Sequence, residues 1–243
     1  MNSEKQKKAY HKVQLYRLLT RLIDNKKVVP NIFFKGGTCC SILGFLDRFS
    51  VDLDFDLKQG TNKGKLRKEL HSIFKDLNLE IKDESKKALQ FFLRYQAPIG
   101  QRNIVKLEIL DTIFSSNDYK AQYLSEIDRV AVCQTIESMF ANKLVAFIDR
   151  YKKRGTIAGR DIYDIHYFFS HGYDYKEQII EERTGQTALS YLKKLRNFIA
   201  DKITQKIINQ DLNFLLPNEK FQAIRKNLKT ETLMLIDDEV KID

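Results

Sequence analysis

Cysteine is scarce in this chain, and long apolar runs are missing from it. Three of its 243 residues are cysteines, Cys39, Cys40 and Cys133. No Cys-x-x-Cys or cysteine–histidine spacing accompanies them. That argues against zinc and against a disulfide framework, and fits small buried residues in a reducing cytosol. The four histidines, His11, His71, His166 and His171, show neither metal spacing nor a nucleophile partner. No apolar stretch approaches the length of a membrane span. The opening residues, Met1-Asn-Ser-Glu-Lys-Gln-Lys-Lys8, lead into no apolar segment of the signal-peptide kind. A cytoplasmic protein with no membrane contact is therefore expected. Walker loops, dinucleotide-binding glycine fingerprints and catalytic-cysteine sites are missing too.

Positive charge, by contrast, is in excess. Forty-two lysines and arginines face 32 aspartates and glutamates, a net charge of +10. The basic residues cluster at 5–8, 63–68, 150–154 and 193–196. A field of that sign concentrates polyanions, so a nucleotide or nucleic-acid partner is favoured. Hydrophobic residues make up 43%, enough for a globular chain with one large core or two modest ones.

The most informative stretch is 32–57. Ile32-Phe33-Phe34 has strand character and ends at Gly36-Gly37, and residues 38–46 suit a short helix. Asp52-Leu-Asp-Phe-Asp-Leu57 alternates with the period of a half-buried strand. Leu53, Phe55 and Leu57 would face a core, with Asp52, Asp54 and Asp56 opposite. Two carboxylates on one strand face can converge on a hard cation such as Mg²⁺, which is commonly held by one or two carboxylates plus substrate phosphates. The paired glycines let backbone approach a triphosphate, and a helix starting after them presents free N–H groups to it. Either feature alone is as well explained by a solvated strand or an ordinary turn. Both together, in this order, resemble the motif order of the nucleotidyltransferase superfamily, and that resemblance favours nucleotidyl transfer.

Around this stretch the periodicity gives an amphipathic helix over 9–24, another over 65–77, and strands over 79–84, 88–96 and 103–110. Glu108 interrupts the last strand and is a candidate third carboxylate, though a charged residue on a sheet edge is an equal alternative. A soft boundary falls near residue 120, giving a core over 1–120 and a region over 121–243 that reads as helical throughout. Within the latter, Ile136, Phe140, Lys143 and Phe147 share a face of a helix over 134–151. Lys143 is either a snorkelling side chain or a point charge for phosphate. Asp161 sits where a helix start would welcome an acid. Further helices are expected within 174–200 and over 218–236.

Lys35-Gly36-Gly37-Thr38, Arg48-x-Ser50-x-Asp52-Leu53-Asp54-Phe55, and the later Lys143-Leu144-Val145-Ala146-Phe147 and Arg160-Asp161-Ile162-Tyr163-Asp164 together resemble the AbiEii family of nucleotidyltransferase toxins. The resemblance covers 35–55 and 142–165 and departs at Cys39-Cys40, where small or aliphatic residues are expected. It implies an α+β fold, with a mixed nucleotidyltransferase-type sheet flanked by helices and a helical C-terminal region. It also implies Mg²⁺-dependent transfer of a nucleoside monophosphate from an NTP to an acceptor, RNA and in particular tRNA being favoured. The context would be a toxin–antitoxin or phage-defence system with a DNA-binding repressor as antitoxin. Asp52 and Asp54 would hold the metal, and Lys143, Asp161 and Glu108 would complete the catalytic set. Lys35, Gly36, Gly37, Thr38, Arg48 and Ser50 would line the nucleotide. A non-catalytic nucleic-acid- or antitoxin-binding module of the same fold and a small-molecule, antibiotic-type nucleotidyltransferase remain alternatives.

Overall fold

The computed structural model describes residues 2–111 and 114–241, with side chains from residue 6 onward, so the side chain of Lys5 in the first basic cluster lies outside what is described. The chain forms two compact units. The first comprises Met1–Gly44, Phe49–Ile113 and Tyr119–Gln134, and the second comprises Phe45–Arg48, Phe114–Asp118 and Thr135–Asp243.

The first unit carries helix α1 (Asn2–Asp24), strand β1 (Ile32–Lys35), helix α2 (Gly36–Ile42), strand β2 (Asp52–Leu57) and helix α3 (Lys63–Asp76). Strands β3 (Glu80–Glu84), β4 (Leu89–Arg94), β5 (Ile104–Leu110), β6 (Tyr119–Leu124) and β7 (Arg129–Gln134) follow. They join one seven-stranded sheet in the order β3-β4-β5-β2-β1-β7-β6. The sheet is mixed: β2 runs parallel to β5 and β1 parallel to β7, while the other neighbours are antiparallel. Leu53, Phe55, Phe34, Phe91 and Leu107 are buried on the sheet, with Leu18, Leu19, Leu22 and Phe74 from α1 and α3 in the same core. The alternation read in Asp52–Leu57 is thus the burial pattern of β2, except that Asp56 is fully buried as well.

Residues 119–134 depart from the expectation of helices beyond residue 120. They form the β6–β7 hairpin, turning at Asp128, whose φ of 52° is left-handed. The period is two, with Ala131 and Cys133 buried and Val130 and Val132 exposed. The buried pair are small residues and the exposed pair β-branched, which reverses the contrast that normally signals a half-buried strand.

The second unit is all helix: α4 (Ile136–Arg154), α5 (Gly159–Ser170), α6 (Glu177–Thr184), α7 (Ala188–Lys202), α8 (Gln205–Leu215), α9 (Asn218–Ile224) and α10 (Leu228–Lys241). Thr135 caps α4 by accepting the Ser138 N–H, and Gly155 ends it in the left-handed conformation. Helix α5 has no capping side chain of its own. Its Gly159 N–H is instead accepted by the Asp211 carboxylate of α8 at 2.6 Å. A Cβ on Gly159 would lie 2.6 Å from the Ile207 carbonyl oxygen, so the glycine is what lets α5 start against α8. Phe140, Phe147, Ile162, Phe168, Leu195 and Leu212 form the core. No helix among the described residues is long and apolar enough to cross a membrane.

Candidate active site

Strand register sets the row of charged side chains on the sheet. Asp54 pairs with Lys35 of β1 on one side and with Glu108 of β5 on the other, and Glu108 in turn pairs with Gln90 of β4. Directly paired residues share a sheet face, so Lys35, Asp54, Glu108 and Gln90 form one cross-strand row. The neighbouring row carries Asp52 beside Lys106. Glu108 therefore stands next to Asp54, with both oxygens engaged: Gln90 donates to one at 2.5 Å and Lys106 to the other at 2.8 Å.

Asp54 is the group under electrostatic pressure. Burial raises its pKa first, and repulsion from Asp52 and Glu108 raises it further against the pull of Lys106 and Lys35, so that it reaches about 6. Its carboxylate lies against Gly36, whose φ is +81°. A Cβ there would meet the Asp54 Oδ2 at 2.7 Å. The glycine thus serves two needs, a left-handed turn from β1 into α2 and room for this carboxylate.

Thr38 is buried in α2, and its hydroxyl donates to the Asp52 carbonyl oxygen at 2.5 Å, tying the helix to the strand that carries the aspartates. The Lys35 ammonium pairs with Asp56, whose other oxygen accepts from Tyr119 Oη at 2.8 Å. Asp56 is therefore a buried, compensated carboxylate, distinct in kind from Asp52 and Asp54. Gly37 and Ser50 are half-buried.

The helical unit holds a second charged cluster. Asp164, fully buried in α5, accepts from Arg48 Nε and, at 2.6 Å, from Arg48 Nη2, and it pairs with the Lys143 ammonium of α4 at 2.5 Å. Burial raises the pKa of this carboxyl, but the two cations beside it outweigh that and hold it below the usual carboxylate value. Two cations on one anion leave a net positive charge, and Lys143 keeps 19% of its side chain exposed. Asp161, one turn earlier, pairs instead with Arg150 at 2.8 Å. Lys143 and Asp161 thus have different partners. Asp164 is the functional candidate that the residue-by-residue reading passed over, although it closes the Arg160-Asp161-x-x-Asp164 motif.

Among the described residues, no three or more histidine, cysteine or acidic side chains are arranged to hold a metal by themselves. Asp52 and Asp54 supply a two-carboxylate set. Such a set suits Mg²⁺, which completes its shell with water and substrate phosphate oxygens. The uncompensated charge at Asp54 and the space kept for it by Gly36 fit a cation there.

The family described as "Nucleotidyl transferase AbiEii toxin, Type IV TA system" matches residues 17–233. The chain belongs to this family and is a nucleotidyltransferase. Membership implies an NTP substrate and an antitoxin counterpart. Solved structures share the fold at low identity. A candidate nucleotidyltransferase from Helicobacter pylori superposes with a TM-score of 0.58 at 21% identity, covering 96% of this chain and 94% of that one. The nucleotidyltransferase toxin MenT4 from Mycobacterium tuberculosis gives 0.57 at 16% identity, over 97% and 86%. A further H. pylori protein, JHP933, gives 0.54 at 20%, over 96% and 93%. No curated protein matches the sequence.

Proposed function

We propose that the chain transfers a nucleoside monophosphate from an NTP to an RNA acceptor, tRNA in particular, with Mg²⁺ held by Asp52 and Asp54. The observation that carries the reading is Asp54, a carboxylate pressed by burial and by two acidic neighbours, with a glycine keeping its approach open. Mg²⁺, when bound, neutralises charge that develops on the phosphates. An oxygen of the acceptor hydroxyl bonds to the α-phosphorus, the bond to the β-phosphate oxygen breaks, and pyrophosphate leaves. The hydroxyl proton goes to a carboxylate. Glu108 has both oxygens engaged by Gln90 and Lys106, so Asp54 is the better placed of the two to take it.

Thr38 holds Asp52 in position through the backbone, and the Gly36-Gly37 turn receives phosphate. On the family's pattern Lys143 steadies the triphosphate and Asp161 completes the set, while Arg48 acts through Asp164. The net charge of +10 supports a polyanionic acceptor. A cytoplasmic toxin paired with a DNA-binding repressor in a phage-defence or toxin–antitoxin locus is the context this reading carries.

The test incubates the protein with each α-³²P-labelled NTP, Mg²⁺ and total cellular RNA, beside Asp52→Ala and Lys143→Ala. Label in tRNA-sized bands with wild type alone is the expected result. Label on protein would remove RNA as the acceptor, and no label with any acceptor would overturn the reading.

A further inference from the structure

At the end of the antiparallel β1–β2 pair away from the glycine turn lies a cavity of about 450 Å³, within the usual size range of ligand pockets. Asn31, Thr61 and Asn62 line it together with Lys27, Lys65 and Lys68. Its place in the sheet separates it from the aspartates. The β1–β2 register pairs Lys35 with Asp54 at one end and Ile32 with Leu57 at the other, and the cavity adjoins the second end. Asp52 and Leu57 close opposite ends of β2, roughly 16 Å apart at the rise of an extended strand.

The polar floor is already satisfied by its own contacts. Thr61 Oγ1 donates to Asn31 Oδ1 at 3.1 Å, Asn31 Nδ2 donates to the Lys27 carbonyl oxygen at 2.8 Å, and Asn62 Oδ1 accepts the Lys65 N–H at 2.9 Å. These contacts fix the walls and leave few free acceptors to attract a cation or a sugar. The basic side chains around it divide differently. Lys27 pairs with Glu69, Lys63 with Asp111 and Arg67 with Glu84. Lys65 and Lys68 are exposed on α3 and make no side-chain hydrogen bond or ion pair among the described residues. Glu69 also lines the cavity, but its carboxylate is taken by Lys27, so Lys65 and Lys68 stand there as two cations without an acid of their own.

We propose that this cavity seats backbone phosphates of the polynucleotide acceptor, with Lys65 and Lys68 as its two phosphate contacts. The inference rests on the RNA-acceptor reading and adds a second anchoring point, away from the reacting phosphates. An ammonium suits this role because it binds phosphate as a point charge and reads no base, so the contact positions the acceptor without selecting its sequence.

The experiment measures binding of a fluorescein-labelled single-stranded RNA by anisotropy over a range of KCl concentrations. It compares the full-length protein with Lys65→Gln/Lys68→Gln and, as a matched control, with Lys193→Gln/Lys194→Gln, another exposed pair on α7. Each phosphate contact on a single strand contributes about 0.7 to the slope of log K against log salt. The Lys65/Lys68 variant should lose about 1.4 in slope and bind about tenfold more weakly at 0.15 M salt. Its KM for NTP and its melting temperature should not change. An unchanged slope overturns the inference, as does an equal loss in the Lys193/Lys194 control, which would mean diffuse charge. A raised KM for NTP with RNA binding intact would make the cavity a nucleotide site and overturn it too. Wild type that binds no RNA overturns this inference together with the acceptor reading, whereas an unaltered slope on a protein that does bind RNA sinks this inference alone.

Discussion

Arg48 and Asp164 form a buried fork: guanidinium Nε and Nη2 meet the two oxygens of one carboxylate, with both side chains at most 4% exposed. The pair lies 116 residues apart in sequence. Lys143 leans on the same carboxylate, so a single anion is shared by two cations.

Replacing Asp164 by Asn removes that anion and takes from Arg48 and Lys143 the carboxylate they share. Breaking a buried pair by deleting one partner costs about 3–5 kcal/mol. Urea denaturation should show that loss in Asp164→Asn, and at least as much in Asp164→Ala. A loss below about 1 kcal/mol would mean that the fork is dispensable, as most exposed ion pairs are.

Gly36 and Gly44 make a natural pair for the second prediction. Both are left-handed, with φ of +81° and +79°. A Cβ on Gly44 meets nothing within 4 Å, whereas one on Gly36 meets the Asp54 carboxylate at 2.7 Å. Alanine at either position carries backbone strain of about 1–2 kcal/mol. Gly36→Ala should in addition displace Asp54 and lower kcat by roughly 100-fold, the usual scale for a misplacement near 1 Å. Gly44→Ala should keep its activity. Equal activity in the two variants would detach Asp54 from the chemistry.

Much of the sheet half was legible because its signals are local. The Gly-Gly turn and the alternating Asp52–Leu57 strand follow from short-range periodicity, whereas the expectation that Glu108 stands on a strand beside Asp54 comes from the nucleotidyltransferase resemblance. Asp56 read as one of three equivalent aspartates, yet it is buried against Lys35 and Tyr119, and Tyr119 lies 63 residues away. The Arg48–Asp164 fork was equally out of reach, since nothing local marks which acid a distant arginine will find. Helix α8 fell under the general expectation of helices to the end of the chain without bounds of its own, and the β6–β7 hairpin was hidden by Ala131 and Cys133, small residues where a strand core usually shows large ones.

Gly159 supplies a purely structural prediction. Its absent Cβ would sit 2.6 Å from the Ile207 carbonyl oxygen and 3.2 Å from the Ile208 Cα, backbone atoms that have no rotamer to move. Gly159→Ala should therefore destabilise the fold by about 1–3 kcal/mol, as overpacking does. Gly64, inside α3, meets only the Asn62 side chain at 3.4 Å. Gly64→Ala should stabilise by about 0.5–1 kcal/mol through helix propensity alone. Thermal melts of the two variants should shift in opposite directions, and shifts of the same sign would contradict the packing of α5 on α8.

The last prediction concerns pH. The Asp54 carboxyl titrates near 6 in the folded chain, against 3.8 for an unperturbed aspartate. Between those values the native state holds the proton and the unfolded state has released it. Stability therefore falls as pH rises through that window and levels off above it. Asp54→Asn keeps the shape and loses the titration, so its stability curve should lack this fall. At pH 7.5 the variant should exceed wild type by about 3 kcal/mol, while transferring no nucleotide. Mg²⁺ competes with the same proton, so the stabilisation that Mg²⁺ and NTP give wild type should grow across the same window and be missing in the variant. Melting curves at pH 5, 6 and 7.5, with and without Mg²⁺ and NTP, read both effects. Parallel curves for wild type and Asp54→Asn would mean that this carboxylate carries no unpaired charge, and the case for a cation at Asp52 and Asp54 would fall with it.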